Sequence, residues 1–405
     1  MLKKLSEKKQ YISDFAYTIG SSLLLQAVLH LLIHPYINYR MGAEALGNIV
    51  FYMSIIYIFA QSLGQGLCQI RQVVRKDCEA SNGDYNAIIA VILLISAVCG
   101  GIIGSIYLKG IELLMFVVVL LFTVLRYYAT VEYRLKLDFK LCLIFFSILS
   151  AGYLVGAAVF TVTNQWYYIF LMGEAAVVLV FMVRGTIFKP EKRTKNIPFI
   201  AKATTSLVFS YLMVEITTNA DRLILKNFID AEAVSLFYVV SLIGKTLLMF
   251  VGPINSITLS YASADKKHQT RKGFLKTFTL YTAISAVFYL FCIIGTPIFV
   301  KLFYPNMYSQ MQGLNLIVNA GQVINFAASL PIILILVELG SRYHLRINLM
   351  FAAIYIPVAM VLTHFFGIWG YAWATVIVNI IRYVEVLLLG LLKFPKENSE
   401  KEMTE

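Results

Sequence analysis

The sequence predicts an all-α polytopic membrane protein: twelve transmembrane helices in two six-helix bundles. Three observations predict it. Of the 405 residues, 59% are hydrophobic and 14% charged, against about 25% charged in soluble domains, and the mean hydropathy is +0.76. Apolar runs of about 20 residues, enough to cross a bilayer at 1.5 Å per residue, recur along the whole chain. Finally, Lys and Arg fall in every second inter-span segment, the asymmetry that orients membrane helices. The net charge of +12 is then loop charge and calls for no nucleic acid.

The spans fall at 14–34, 46–67, 87–108, 111–125, 141–162, 166–183, 203–228, 234–261, 277–303, 313–339, 347–366 and 368–392. The first follows Lys3, Lys4, Lys8 and Lys9 but lacks a small-residue cleavage site, so it reads as an uncleaved helix. With the amino terminus in the cytoplasm, all but six of the 34 Lys and Arg lie in cytoplasmic segments, Arg71, Arg126 and Arg382 among them. The six are Arg40, Lys109, Arg222, Lys226, Lys245 and Lys301. Both termini are therefore expected in the cytoplasm. The five cysteines are scattered with no Cys-x-x-Cys, which fits small core residues rather than a metal or disulfide framework.

Four segments follow: a six-helix bundle over 1–188, a basic cytoplasmic linker over 189–202, a second bundle over 203–392, and a polar tail over 393–405. The basic stretch begins at Gly185 and contains Pro190 and Pro198. A short repeat supports two halves. Gly42-Ala43-Glu44-Ala45-Leu46-Gly47 lies between spans one and two, and Asp230-Ala231-Glu232-Ala233-Val234-Ser235 between spans seven and eight, 188 residues later. Six spans per half make the halves parallel about an axis along the membrane normal, an arrangement that places substrate between them.

Span seven carries an unusual load: Glu215, Asn219, Asp221, Arg222 and Lys226. On one helix Glu215, Asn219, Arg222 and Lys226 stand at i, i+4, i+7 and i+11, on one face. Charge facing lipid is costly, so that face points at protein or water. Either these are structural pairs, Arg222 with Asp221 or Lys226 with Asp230, or they form a substrate-facing stripe. Lys245, near the middle of span eight, needs a partner or water as well. Glu215 at similar depth is one partner, an anionic substrate the other. Gly244-Lys245-Thr246 resembles the end of a phosphate loop, but Val239 stands where glycine is required and no strand precedes it.

The 188-residue offset maps Arg222 onto His34 and Thr218 onto His30. Two histidines at i, i+4 have metal-ligand spacing, but no Glu or Cys joins them, so pore-lining roles are expected and no metal or other cofactor. Span ten carries Asn315, Asn319, Gln322 and Asn325, a stripe that serves as helix glue or as a hydrophilic lumen. Arg382 and Glu385, at i, i+3, are expected to pair. Pro253, Pro297, Pro331 and Pro357 imply kinks. No His-Glu-x-x-His, Gly-x-Ser-x-Gly, nucleotide loop or Asp-x-Asp is present, which argues against an enzyme.

Asn219-Ala220-Asp221-Arg222-Leu223-Ile224-Leu225, followed by Ala231-Glu232-Ala233-Val234-Ser235-Leu236-Phe237-Tyr238, resembles the polysaccharide flippases of the multidrug/oligosaccharidyl-lipid/polysaccharide exporter superfamily. Ser235 stands where many of them carry Gly. The basic segment from Arg126 to Lys140, with Tyr127, Tyr128, Arg134 and Phe139, is similar to that family's link after span four. The resemblance implies a MATE-like, V-shaped transporter working by alternating access. It implies a cargo too: an undecaprenyl-pyrophosphate-linked oligosaccharide, moved across the bacterial inner membrane for O-antigen, capsule or exopolysaccharide. Arg222, Lys226 and Lys245, with Asn219 and His34, are the expected substrate contacts. Glu215 and Asp221 are expected to hold those cations or answer a coupling ion. Membrane lipids, a polysaccharide polymerase and a chain-length regulator are the implied partners. A cation-coupled drug exporter of the same fold is the alternative; it needs an acidic cavity, which the central cations oppose.

Overall fold

A computed structural model describes residues 2–74, 80–248 and 270–395, and among them every regular element is helical. The second part of expected span eight, with Pro253, lies outside the described residues. So do Arg75, Lys76, Cys78, Lys266, Lys267 and the polar tail from Lys396 onward.

Nine helices among the described residues are long and apolar enough to cross a membrane. Two of these runs, Ala16–Val73 and Arg342–Lys393, are 58 and 52 residues long, each about twice a bilayer span. The first comprises the end of α1 (Leu2–Ala27), a π-helical turn Val28–Ile33, α2 (His34–Phe59), a second π turn Ala60–Gln65, and α3 (Gly66–Val73). It turns at Gly42, with φ 86° and ψ 176°, a conformation that residues with a Cβ avoid. The loop expected between spans one and two is thus one glycine in a helix that otherwise continues.

Next come α4 (Asn82–Ser105), α5 (Gly110–Ala129), α6 (Val131–Lys136), α7 (Phe139–Thr163) and α8 (Tyr167–Arg184). Then follow α9 (Ile197–Thr218), α10 (Ala220–Phe228), α11 (Ala231–Leu248), α12 (Arg271–Phe303), α13 (Leu314–Leu339) and α14 (Ser341–Lys393). In α14 the turn between the last two spans is Gly367 alone. Span seven was expected as one helix over 203–228. It starts earlier, at Ile197, and breaks at Asn219, whose φ of −102° and ψ of 9° are not helical. No single face therefore carries Glu215 through Lys226.

Contacts divide the chain into two compact units: Met1–Arg40 with Ile49–Asn219, and Met41–Asn48 with Ala220–Glu405. In the first, α7 packs on α8 and α1, and α5 on α4 and α8. The α7–α8 crossing depends on glycine: a Cβ on Gly152 would lie 2.4 Å from the Gly173 Cα. The basic segment after α8 is tied down rather than loose. Glu132 accepts from the amides of Thr186 and Ile187, Asp84 from the amide and hydroxyl of Thr194, and Asn82 bonds Glu191.

Arg71 and Arg126, counted above as loop charge, are buried inside this unit. Arg71 donates to Tyr128 and Asn82 and lies over the Tyr85 ring. Arg126 meets Glu174. In the second unit α13 packs on α14, α12 and α11, and α10 on α14 and α11. Phe274, Phe278, Ile332, Ile335, Ile347 and Val386 form its core toward one end. Arg382 does not pair with Glu385. Its guanidinium donates to Asn325 Oδ1 at 3.1 Å and Asn348 Oδ1 at 2.9 Å and covers the Phe351 ring. Two fixed amide oxygens outcompete a carboxylate on the arginine's own helix.

Candidate functional site

The second unit gathers charge around α10. This nine-residue helix is amphipathic: Ala220, Asp221, Ile224 and Leu225 are buried. Asp221 sits in its first turn, where a helix N-terminus favours a carboxylate. It is 5% exposed. Its Oδ2 accepts from Lys245 Nζ of α11 at 2.6 Å, while its Oδ1 has no hydrogen-bond partner among the described residues. The Lys245 side chain is 26% exposed, far more open than its partner. Lys245 thus has a carboxylate beside it, and that carboxylate is Asp221 rather than Glu215.

Two further cations stand on α10. The Arg222 guanidinium lies over the ring of Tyr238, 5.3 Å from its centroid, a cation–π contact that tolerates a net positive charge. Lys226 Nζ donates to Asn48 Oδ1 at 2.6 Å, where Asp230 was one expected partner. Asn48 closes the segment Met41–Asn48, which belongs to this unit although the chain on both sides of it does not. The same segment makes the two repeated turns touch. A Cβ on Gly47 would lie 1.7 Å from the Ala231 carbonyl oxygen, so only glycine allows that approach. The repeat was legible in the sequence; that its copies meet was not, because nothing in either copy marks it as a contact.

Next to Lys245, α11 is clamped by a side chain of α13. Asn319 of α13 donates to the Val240 carbonyl at 3.2 Å, and its Oδ1 accepts from the Gly244 amide at 3.1 Å. Those two backbone groups are i, i+4 positions of the helix, and the Asn319 amide bonds both, one residue before Lys245. Gly244 leaves the room, since a Cβ there would be 2.6 Å from Asn319 Oδ1. Asn319 also donates to Asn315 and Thr296, so of the two roles open to the asparagine stripe it serves as glue. Behind the site, the hydroxyls of Tyr355 and Tyr371 on α14 are 2.5 Å apart, and the Phe237 ring stands edge-on to Tyr371.

The other sequence candidates belong to the first unit. Glu215 and Asn219 are buried, and the Asn219 amide donates to the Glu215 carbonyl at 2.9 Å. His34 is buried, its ring 5.4 Å from that of His30. The first unit also holds a fully buried carboxylate, Glu174. Its Oε2 accepts from Arg126 Nε at 2.5 Å and its Oε1 from the Tyr153 hydroxyl at 2.7 Å. No group of three or more His, Cys, Asp or Glu side chains among the described residues is placed to hold a metal ion.

No protein-family model matches the sequence, and no curated protein matches it. Solved structures do resemble the chain in fold. An inward-closed lipid II flippase, MurJ, shares 13% identity over 93% of this chain and 87% of its own, with a TM-score of 0.69. An inward-facing multidrug resistance MATE family transporter of the MOP superfamily shares 14% over 95% and 96%, with a TM-score of 0.64. A mutant of the Vibrio cholerae MATE transporter VcmN shares 17% over 99% of both chains, at 0.58. The fold is MATE-like, and the chain is a multi-pass membrane protein.

Proposed function

We propose that this chain is a flippase. On this reading it carries an undecaprenyl-pyrophosphate-linked oligosaccharide across the bacterial inner membrane by alternating access, with both termini in the cytoplasm. The observation that carries the reading is the charge balance around α10. Arg222, Lys226 and Lys245 gather there against one buried carboxylate, Asp221, and the Lys245 side chain is partly exposed. A cationic site of low dielectric draws anions strongly, and a diphosphate is the anionic part of such a cargo. The lipid tail stays in the bilayer while the head group meets the cations. A fold shared with a lipid II flippase agrees with this reading. A polysaccharide polymerase and a chain-length regulator are the partners it implies.

A second reading, a cation-coupled exporter of small molecules, draws on the multidrug MATE transporters of the same fold. One assay separates the two. The purified protein is placed in liposomes carrying undecaprenyl-pyrophosphate-linked oligosaccharide, and sugar reaching the outer leaflet is scored with a lectin. Ethidium efflux is scored in parallel. The flippase reading expects sugar transfer that Lys245→Ala abolishes, with the variant still inserted at wild-type amounts. Ethidium export without sugar transfer would establish the exporter instead.

A further inference from the structure

We infer that Asp221 is an internal stand-in for the cargo's anion. It occupies Lys245 when the site is empty, gives it up to the incoming phosphate, and takes a proton as it does so. The inference rests on the flippase reading and concerns the same site.

The geometry has three parts. The Lys245 ammonium has one carboxylate oxygen, Asp221 Oδ2, at 2.6 Å. The Lys245 side chain is 26% exposed, against 6% for that of Asp221, so the lysine is the more accessible partner of the pair. The carboxylate is the more deeply buried of the two, and its second oxygen already lacks a hydrogen-bond partner among the described residues. A phosphate oxygen binding to Lys245 therefore competes with Asp221 for one cation.

Once Lys245 turns to the phosphate, Asp221 loses its nearest positive charge while still shielded from water. A buried carboxylate without its cation is expensive, and uptake of a proton from solvent is the usual relief. The balance is simple: the carboxylate gains one proton and becomes neutral, no covalent bond of the cargo changes, and Lys245 remains protonated throughout. The other groups around Asp221 replace Lys245 only in part. Arg222, next in the chain, still acts on the carboxylate but lies over the Tyr238 ring, and Lys226 bonds Asn48. From α14 come Tyr355 and Tyr371, whose hydroxyls bond each other, and His364, whose ring packs on Phe228. Cargo binding and proton binding are thus linked through one side chain, with Asp221 setting both the affinity and the pH dependence.

The test uses the full-length protein in lipid nanodiscs, with undecaprenyl pyrophosphate as the probe. Calorimetric titrations near neutral pH, in buffers of different ionisation enthalpy, count the protons taken up on binding. Because the diphosphate itself titrates near neutrality, the decisive quantity is the difference between wild type and Asp221→Asn. The expected difference is about one proton, with Asp221→Asn binding about tenfold tighter or more because its competitor for Lys245 is gone. Lys245→Arg should keep the proton uptake. Infrared difference spectra of the wild type alone should gain a protonated-carboxyl stretch when the lipid binds, whether or not the variants fold. Binding with no such band, or an equal proton count in wild type and Asp221→Asn, overturns the exchange and leaves the flippase reading standing. A wild type that does not bind the lipid overturns both.

Discussion

Among the described residues each unit holds an ion pair in its interior, Arg126–Glu174 in the first and Lys245–Asp221 in the second, and the two are built differently. In the first unit Arg126 and Glu174 are 4% and 0% exposed. Both carboxylate oxygens are used, one by Arg126 and one by Tyr153, and the guanidinium stacks on Tyr127 at 4.2 Å. Neither carboxylate oxygen of Glu174 is left without a partner. In the second unit Lys245 is partly open and Asp221 has an oxygen to spare. A saturated pair holds helices together, whereas an unsaturated and accessible one can exchange partners. Charge type alone does not distinguish them; the occupancy of the remaining lone pairs and the access to the cation do.

The sharpest way to break this comparison is to cut the closed pair. Glu174→Gln or Arg126→Met alone leaves a charge buried without its partner and should destabilise the first unit by about 3–5 kcal/mol. The fall should appear as lost thermal stability and lower yield of purified protein. The double variant Arg126→Met/Glu174→Gln removes both charges and should recover much of the loss. If the single variants are as stable as wild type and fail only in transport, the closed pair is a working site and the contrast fails.

The next test separates position from stability. Asn319→Leu removes the amide that bonds Val240 and Gly244. Both backbone groups have helical partners available, so the net stability loss should be modest, about 1–2 kcal/mol. Lys245 lies one residue on, and losing the clamp frees that turn of α11 to shift against Asp221, so sugar transfer should fall by about tenfold or more. Full transport by a stably folded Asn319→Leu would mean that the Asn319 clamp on α11 does not position Lys245.

How much of this was legible beforehand follows the range of the signal. Helicity and the apolar runs come from local hydropathy, and the all-helical, MATE-like fold agrees with them. Lys245 stood out because a lysine in mid-span has no local explanation. Its partner was less legible: Glu215 and Asp221 were both near in sequence, and the choice turned on the break at Asn219, which no glycine or proline announces. Arg126 and Arg71 read as loop charge because a window average ends a span at the first cation, and only the fold shows that Glu174 or Tyr128 waits there. For the same reason Arg382 was matched with Glu385 on its own helix, when its acceptors came from α13 and an earlier stretch of α14. The pairing of side chains between helices is set by rotation about each helix axis, and periodicity narrows that rotation without fixing it.

The smallest predicted effect concerns the third cation. Lys226 differs from Lys245 in having a neutral partner, Asn48 Oδ1, and that partner lies on the segment Met41–Asn48, which docks its own turn on Ala231 through Gly47. A lysine bound to an amide oxygen keeps its whole charge for a passing anion, yet it also clips a piece of chain in place. Lys226→Met should slow sugar transfer about fivefold, the worth of roughly 1 kcal/mol for one hydrogen bond to a partly buried group. Asn48→Leu removes the clip and leaves the charge. Equal losses in the two variants assign Lys226 to holding the segment, so that the exchangeable cation of the second unit is Lys245 alone. A loss confined to Lys226→Met places Lys226 beside Lys245 as a contact for the cargo, and Lys226→Arg should then transport at close to the wild-type rate.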